Sequence, residues 1–208
     1  MTDTPPASAR RPRRDALENR AGILAAARVA LAHDPRASID AIAREAGLTR
    51  RALYGHFDDR DALIRELIAT GAARFNAIAG TIDHADARVA LARLAAALWR
   101  EAAEVQVAAA IALDENHLES TGLALAPLRR RVAAIVRSGQ DDGVLRTDVP
   151  APTLARLVEE TARTVITRMD ASSPVASSLA VRAVLSIAGL GWRESEALLA
   201  EHPEVLPA

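Results

Sequence analysis

The sequence predicts an all-α fold, with a small N-terminal three-helix head and a larger α-helical body. Three observations lead there. Half of the residues are hydrophobic, yet the aromatics are only two Phe, two Trp and one Tyr, while alanine, the strongest helix former, is abundant. Runs of β-branched residues long enough to make a strand are missing. Apolar residues recur instead at helical spacing in one stretch after another. At 208 residues the chain suits one compact domain, or a small domain followed by a larger one.

Residues 1–14 begin with Thr, Pro, Ser and Ala and close on Arg10-Arg11-Pro12-Arg13-Arg14. So little apolar area cannot offset the entropy of ordering, and a disordered basic arm is expected. Such an arm either adds phosphate contacts on a nucleic acid or is a solvated tail. Asp15–His33 reads as the first helix, with Leu17, Leu24 and Leu31 in register and Ile23, Ala27 and Ala30 widening the stripe. Asp34-Pro35 ends it. Ser38 then caps a short second helix in which Ile39, Ile42, Ala43 and Ala46 share a face, and Gly47 stops it in the left-handed conformation.

Thr49 caps a third helix, expected over Thr49–His56. Leu53 and Phe57 point to the core, and Arg50, Arg51 and Ala52 point outward. Gly55 costs ~1 kcal/mol inside such a helix relative to alanine; it either permits a close backbone approach or marks fraying. Asp58-Asp59-Arg60-Asp61 caps a fourth helix with negative charge at its N-terminus, and Ile64, Ile68, Phe75 and Ile78 carry its core face to about Gly80. From Asp83 the helices become longer and richer in alanine. They are expected over 85–103, 105–119, 124–140, 153–170 and 175–191, with a short piece over 193–201. Thr121-Gly122, Asp142-Gly143 and Ser172-Ser173-Pro174 punctuate them, Ser173 and Pro174 reading as N-cap and N1.

Composition removes several function classes. The absence of cysteine rules out disulfides, thiolate catalysis and cysteine-ligated zinc. Neither a signal peptide nor an uncharged apolar run of membrane-spanning length occurs, so a cytoplasmic protein without membrane attachment is expected. All 26 basic residues are arginine, and the net charge is −1. That balance is uneven: residues 1–57 hold ten Arg against six acids, whereas the remainder is acidic overall. A mildly basic head on an acidic body suits a protein that meets DNA at one end; chance asymmetry is the competing explanation.

Two short helices joined by a glycine turn have the geometry of a DNA-reading helix-turn-helix, here over residues 38–57. The stretch resembles the DNA-binding domain of TetR-family transcriptional regulators. The features that carry the resemblance are Ile42-Ala43, Ala46-Gly47, Thr49, Leu53-Tyr54, His56-Phe57 and Arg60-Asp61-Ala62-Leu63, within roughly residues 17–77. The resemblance implies a DNA-binding domain over 15–80 and an α-helical ligand-binding and dimerisation domain over 81–208, the fourth helix joining the two. It also implies a homodimer formed by the last two long helices, a near-palindromic double-stranded operator and a small-molecule effector. Two recognition helices would then sit ~34 Å apart, one DNA turn.

Site residues follow from this reading. Arg50 and Arg51 open the third helix, where bidentate pairing to guanine is worth ~1–3 kcal/mol of discrimination; one of the two is free to hold a phosphate instead. The Ala52 methyl suits a thymine methyl. Tyr54 and His56 resemble family positions that bond the phosphate backbone, setting register without carrying sequence information. Ser38 and Thr49 combine capping with hydroxyls offered to phosphate. Packing of the motif against protein alone is the competing explanation.

In the body Trp99, Gln106, Asn116 and His117 are aromatic or polar-tipped groups within apolar helices and are the pocket candidates. Surface or satisfied core positions are the plainer alternative for each. Leu154, Leu157, Val158, Val165, Val175, Leu179, Val184, Leu185 and Ile187 give the last two helices apolar stripes, assigned to a dimer interface or else to the core; Trp192 is expected to cover the core. Asp114 and His117 form half of a carboxylate-x-x-His metal signature, without a second half. The expected function is therefore a ligand-responsive DNA-binding regulator, a repressor rather than an activator, with no enzymatic activity, cofactor or metal. Control by a protein partner or a metal is the alternative, and a helical-bundle metalloenzyme the remote one.

Overall fold

Helices account for all regular structure in the computed structural model, which describes residues 11–103, 117–169, 173 and 175–206, with side chains left undescribed at 11–18, 103 and 118. Helix α1 spans Arg11–His33, α2 Ile39–Glu45, α3 Arg50–Tyr54, α4 Arg60–Thr81 and α5 Ala87–Ala103. They are followed by α6 at Leu118–Ala124, α7 at Ala126–Asp141, α8 at Ala151–Arg168, α9 at Ala176–Ile187 and α10 at Trp192–Glu201, with a 3-10 turn at Pro203–Val205. No strand occurs among the described residues, so the all-α expectation holds.

The chain divides into two compact units, one ending at Leu67 and the other beginning at Ile68. The division falls inside α4 rather than at residue 80, because the two ends of this helix serve different cores. Leu63 and Ile64 are fully buried in the first unit, whereas Phe75, Ile78 and Ala79 belong to the hydrophobic cluster of the second.

In the first unit α1 packs on α2 and α2 on α3. Ile23, Ala27 and Leu31 of α1, Ile42 and Ala43 of α2 and Leu53 of α3 are all buried. Helices of seven and five residues, like α2 and α3, are too short to persist alone. Burial of a Leu or Ile side chain stabilises by ~1.5–3 kcal/mol, several times any propensity difference, so packing holds them. Helix α1 starts at Arg11 rather than Asp15, taking in the last residues of the expected disordered arm. Pro12 does not prevent this, since the first turn needs no amide donor there. Residues 1–10 lie outside the described residues.

The second unit is built on α5. Helix α9 packs along α5 and α8, and α7 packs on α8 and α5. Leu91, Val136, Leu154, Val181 and Leu185 sit at the centre of the resulting cluster. The 142–149 connection is tied in by its backbone. Gln140 Nε2 donates to the carbonyls of Arg146 and Val149 at 2.6 and 2.8 Å, and Arg146 N donates to the Ala188 carbonyl at 3.0 Å. Leu145, 4% exposed, reaches the core over Gly139, where an added Cβ would lie 2.5 Å from Leu145 and 2.8 Å from Ala87. Glycine at 139 therefore provides space.

Four expectations in the body and head change. The apolar stripes of α8 and α9 divide: Leu154, Val158, Val165, Val184 and Leu185 are buried within the chain, while Leu157, Val175 and Leu179 are exposed. Two faces were superimposed in the sequence, since an interior helix needs apolar residues on more than one side. Trp192 does not cover the core. It is 68% exposed, with the Arg193 guanidinium 4.2 Å from its ring. Helix α9 begins at Ala176, whose amide donates to the Ser173 carbonyl at 3.0 Å; Pro174 lies outside the described residues. Helix α3 ends at Tyr54, so Gly55 is its C-cap at φ −68° and carries no mid-helix penalty.

Candidate nucleic-acid interface

The turn between α2 and α3 is specified three times over. Ser38 adopts an extended backbone and its Oγ accepts from Ala41 N at 3.2 Å, capping α2. At the other end of α2 the Leu48 amide donates to the Ala43 carbonyl at 2.8 Å and the Gly47 amide to the Arg44 carbonyl at 3.0 Å. This is the Schellman closure, and it requires the positive φ that Gly47 adopts, +66°. Thr49 then caps α3, its Oγ1 accepting from Ala52 N at 3.2 Å. Two polar caps and one glycine thus fix where α3 starts and how it leaves α2.

Helix α3 buries Leu53 and exposes Arg50, Arg51 and Ala52. Phe57 is buried just beyond it. Tyr54 is 40% exposed and His56 half-buried. Ser38 and Thr49 are exposed at the two caps. The sequence-derived set therefore gathers on one short segment and the cap before it. Arg50 is not free within it: its Nη1 lies 3.2 Å from Asp40 Oδ2, and its guanidinium is 5.5 Å from the Tyr54 ring. The hydrogen bond to Tyr54 and the charge of Asp40 both raise the Arg50 pKa. The Arg51 side chain is exposed and makes no hydrogen bond or ion pair with any described residue.

Three supporting side chains lie outside the sequence-derived set of site residues. Arg20 of α1 donates Nη1 to the His56 carbonyl at 2.6 Å and Nε to Glu66 Oε1 at 2.6 Å, and its Nη2 pairs with Glu66 Oε2. Its guanidinium also lies 4.2 Å from the Phe57 ring centre, and the bond to Glu66 raises its pKa. Arg60 donates to the carbonyls of Ala37 and Pro35 at 3.0 and 3.1 Å, holding the segment before α2. Asp40 restrains Arg50 as described. One signal was available for Arg20: it stands in register with Leu24, Ala27 and Leu31, a charge placed on an apolar stripe.

The body candidates are less coherent. Trp99 is 5% exposed in an apolar cluster with Val165, Ala176 and Ala180. His117 is half-buried at the N-cap of α6, its carbonyl accepting from Ser120 Oγ at 2.9 Å. No hydrogen bond or ring contact joins Trp99 to His117 among the described residues. Gln106, Asn116 and Asp114 lie outside the described residues. Among the described residues no group of three or more His, Asp or Glu side chains could hold a metal ion, and no helix is long and apolar enough to cross a membrane.

Comparison with known proteins agrees with this division into a legible head and a less legible body. Residues 23–67 match the family described as bacterial regulatory proteins, tetR family. No curated protein matches the sequence. Among solved structures the chain is similar to the TetR-family transcriptional regulator PfmR of Thermus thermophilus, at 24% identity and TM-score 0.70, covering 80% of this chain and 96% of that one. It is similar to FadR of Bacillus subtilis, solved in complex with stearoyl-CoA, at 15% identity and TM-score 0.70, over 81% and 97% of the two chains. The fatty acid degradation regulator FadR of Bacillus halodurans gives 16% identity and TM-score 0.68, over 85% and 97%. These likenesses extend the shared fold beyond the head into the body, while the match to the tetR family of bacterial regulatory proteins covers residues 23–67.

Proposed function

We propose that the chain is a repressor that binds a near-palindromic duplex operator as a homodimer and is released by a small, largely apolar effector. The observation that carries the DNA side is α3 itself, which projects Arg50, Arg51 and Ala52 from a turn fixed by Ser38, Gly47 and Thr49. In this reading Arg51, whose side chain is unengaged by the described residues, reaches a guanine edge. Arg50 leaves or keeps Asp40 according to whether it meets a base or a phosphate. Ala52 faces a thymine methyl, and Ser38, Thr49, Tyr54 and His56 bond phosphates and set register.

For the body, the exposed Leu157, Val175 and Leu179 on and beside α8 and α9 support a partner copy as the second half of a helical interface. The apolar surroundings of Trp99 support an effector with a hydrophobic portion, as does the stearoyl-CoA named for FadR of Bacillus subtilis. The pocket roles of Gln106, Asn116 and His117 belong to this proposal. An effector acts only through different affinities for DNA-competent and incompetent states, so it must bind the free protein more tightly than the operator complex.

The test is selection of bound duplexes from a randomised pool, followed by titration of the selected duplex. A recovered inverted repeat with half-sites one DNA turn apart is the expected result. Recovery of no enriched sequence would overturn the reading.

A further inference from the structure

The geometry points to Arg20 as a positioning residue for α3: it touches no DNA in this role, but fixes the exit of the recognition helix so that Arg51 meets its base in register. This inference rests on the proposed DNA reading of α3. The start of α3 is secured by the Thr49 cap and the closure at Gly47. The five-residue helix supplies few intrahelical bonds to secure its exit. Arg20 meets that need with every part of its guanidinium. One nitrogen donates to the His56 carbonyl at 2.6 Å, another to Glu66 at 2.6 Å, the third pairs with the second Glu66 oxygen, and the ring of Phe57 lies 4.2 Å from its carbon. The segment just after α3 is thereby tied to α1 and α4 at once, all within one compact unit.

Chemistry restricts which residue can do this. A planar fork is needed to bond a carboxylate in bidentate fashion, reach a carbonyl and stack on a ring together; a lysine ammonium matches only the charge. With side chains 36% and 32% exposed, Arg20 and Glu66 are only partly screened by water. The pair also carries no net charge, so it adds little to the phosphate attraction that dominates non-specific binding. What it affects is geometry, and geometry governs the difference between operator and random DNA.

Arg20→Lys and Glu66→Gln test this in the full-length protein. The probes are a duplex selected by the wild-type protein and a random duplex of equal length, titrated at a temperature where circular dichroism is native. The ratio of the two affinities is expected to fall about tenfold in both variants, most of it from the selected duplex. Hydrogen exchange at amides 50–57 should accelerate in the absence of DNA. A simple loss of folded protein would weaken both duplexes equally and leave the ratio unchanged. A ratio within about twofold of wild type in both variants, or failure of both to fold, overturns the proposal. Should only one variant fail to fold, the other decides. Failure of the wild-type protein to select any duplex overturns the DNA reading itself and is distinguishable from either outcome.

Discussion

The head and the body of this protein are both helical, but they are specified by different means. The head relies on a few residues that each fill one conformational role. Ser38 and Thr49 cap, Gly47 turns, and Leu53 and Phe57 anchor. The body relies on shape, with alanines and mid-sized aliphatics filling the space between α5, α7, α8 and α9. A region built on single roles is sensitive to the identity of individual residues and recognisable from short sequence. A region built on shape tolerates exchange among apolar residues and leaves little trace in any one position.

The largest expected effects come from placing the same cavity in each region. Leu53→Ala and Leu185→Ala both empty fully buried sites, and each should destabilise by ~2–5 kcal/mol in urea denaturation. A cost below ~1 kcal/mol at Leu53 would break the comparison, because the caps rather than the core would then be holding α3.

Glycine gives the next test, since the two regions use it for opposite reasons. At Gly47 the backbone is left-handed with open space around it, while at Gly139 the helix is regular but a side chain would strike Leu145 and Ala87. Gly47→Ala should cost ~1–2 kcal/mol through backbone strain, and Gly139→Ala ~1–3 kcal/mol through overpacking. Asparagine separates the mechanisms. It should recover part of the loss at 47, where it tolerates positive φ, and worsen the loss at 139. Equal behaviour of asparagine at both positions in thermal melts would sink the distinction.

The same contrast explains what could be read from sequence. Ser38, Gly47 and Thr49 announce caps and a turn because their side chains, or lack of one, suit few other places. The stripes of α8 and α9 were ambiguous for a physical reason: Leu154 and Leu157 are chemically identical, yet one is buried and the other 40% exposed. Apolar periodicity locates a helix but does not say which of two apolar faces meets the chain's own core. Trp192 misled in the same way, since a large aromatic after a glycine turn is as compatible with solvent exposure as with burial. Arg20 and Glu66 were missed because the two partners are 46 residues apart in sequence, a separation no local pattern encodes.

Binding distinguishes the regions without perturbing the fold. Arg51 is exposed, so Arg51→Ala should leave the melting temperature within experimental scatter while weakening the selected duplex by ~1–3 kcal/mol. Arg50→Ala also frees Asp40, and its effect should be smaller at high salt, where the exposed carboxylate is screened. Unchanged affinity in both variants would remove α3 as the reading element.

The smallest effect expected is a pH dependence at the end of the body. Glu204 follows His202 and Pro203 into the closing 3-10 turn and accepts from Arg93 Nη2 at 2.6 Å. That bond, with lesser help from the turn's backbone and His202, lowers its pKa from the ordinary 4.5 to about 2. A carboxylate more acidic in the folded than in the unfolded chain stabilises the fold above the unfolded value and loses that contribution as pH falls through the folded one. The relevant window is therefore between pH 4.5 and about 2. Exposure and salt screening keep the effect of such a pair small. Melting temperatures of wild type and Glu204→Gln should differ slightly near neutrality and converge as pH approaches about 2. A difference that persisted undiminished at the acid end would show that Glu204 holds the turn through its shape and not its charge. The closing turn would then be specified as the rest of the body is, by packing around Val205, which is 2% exposed.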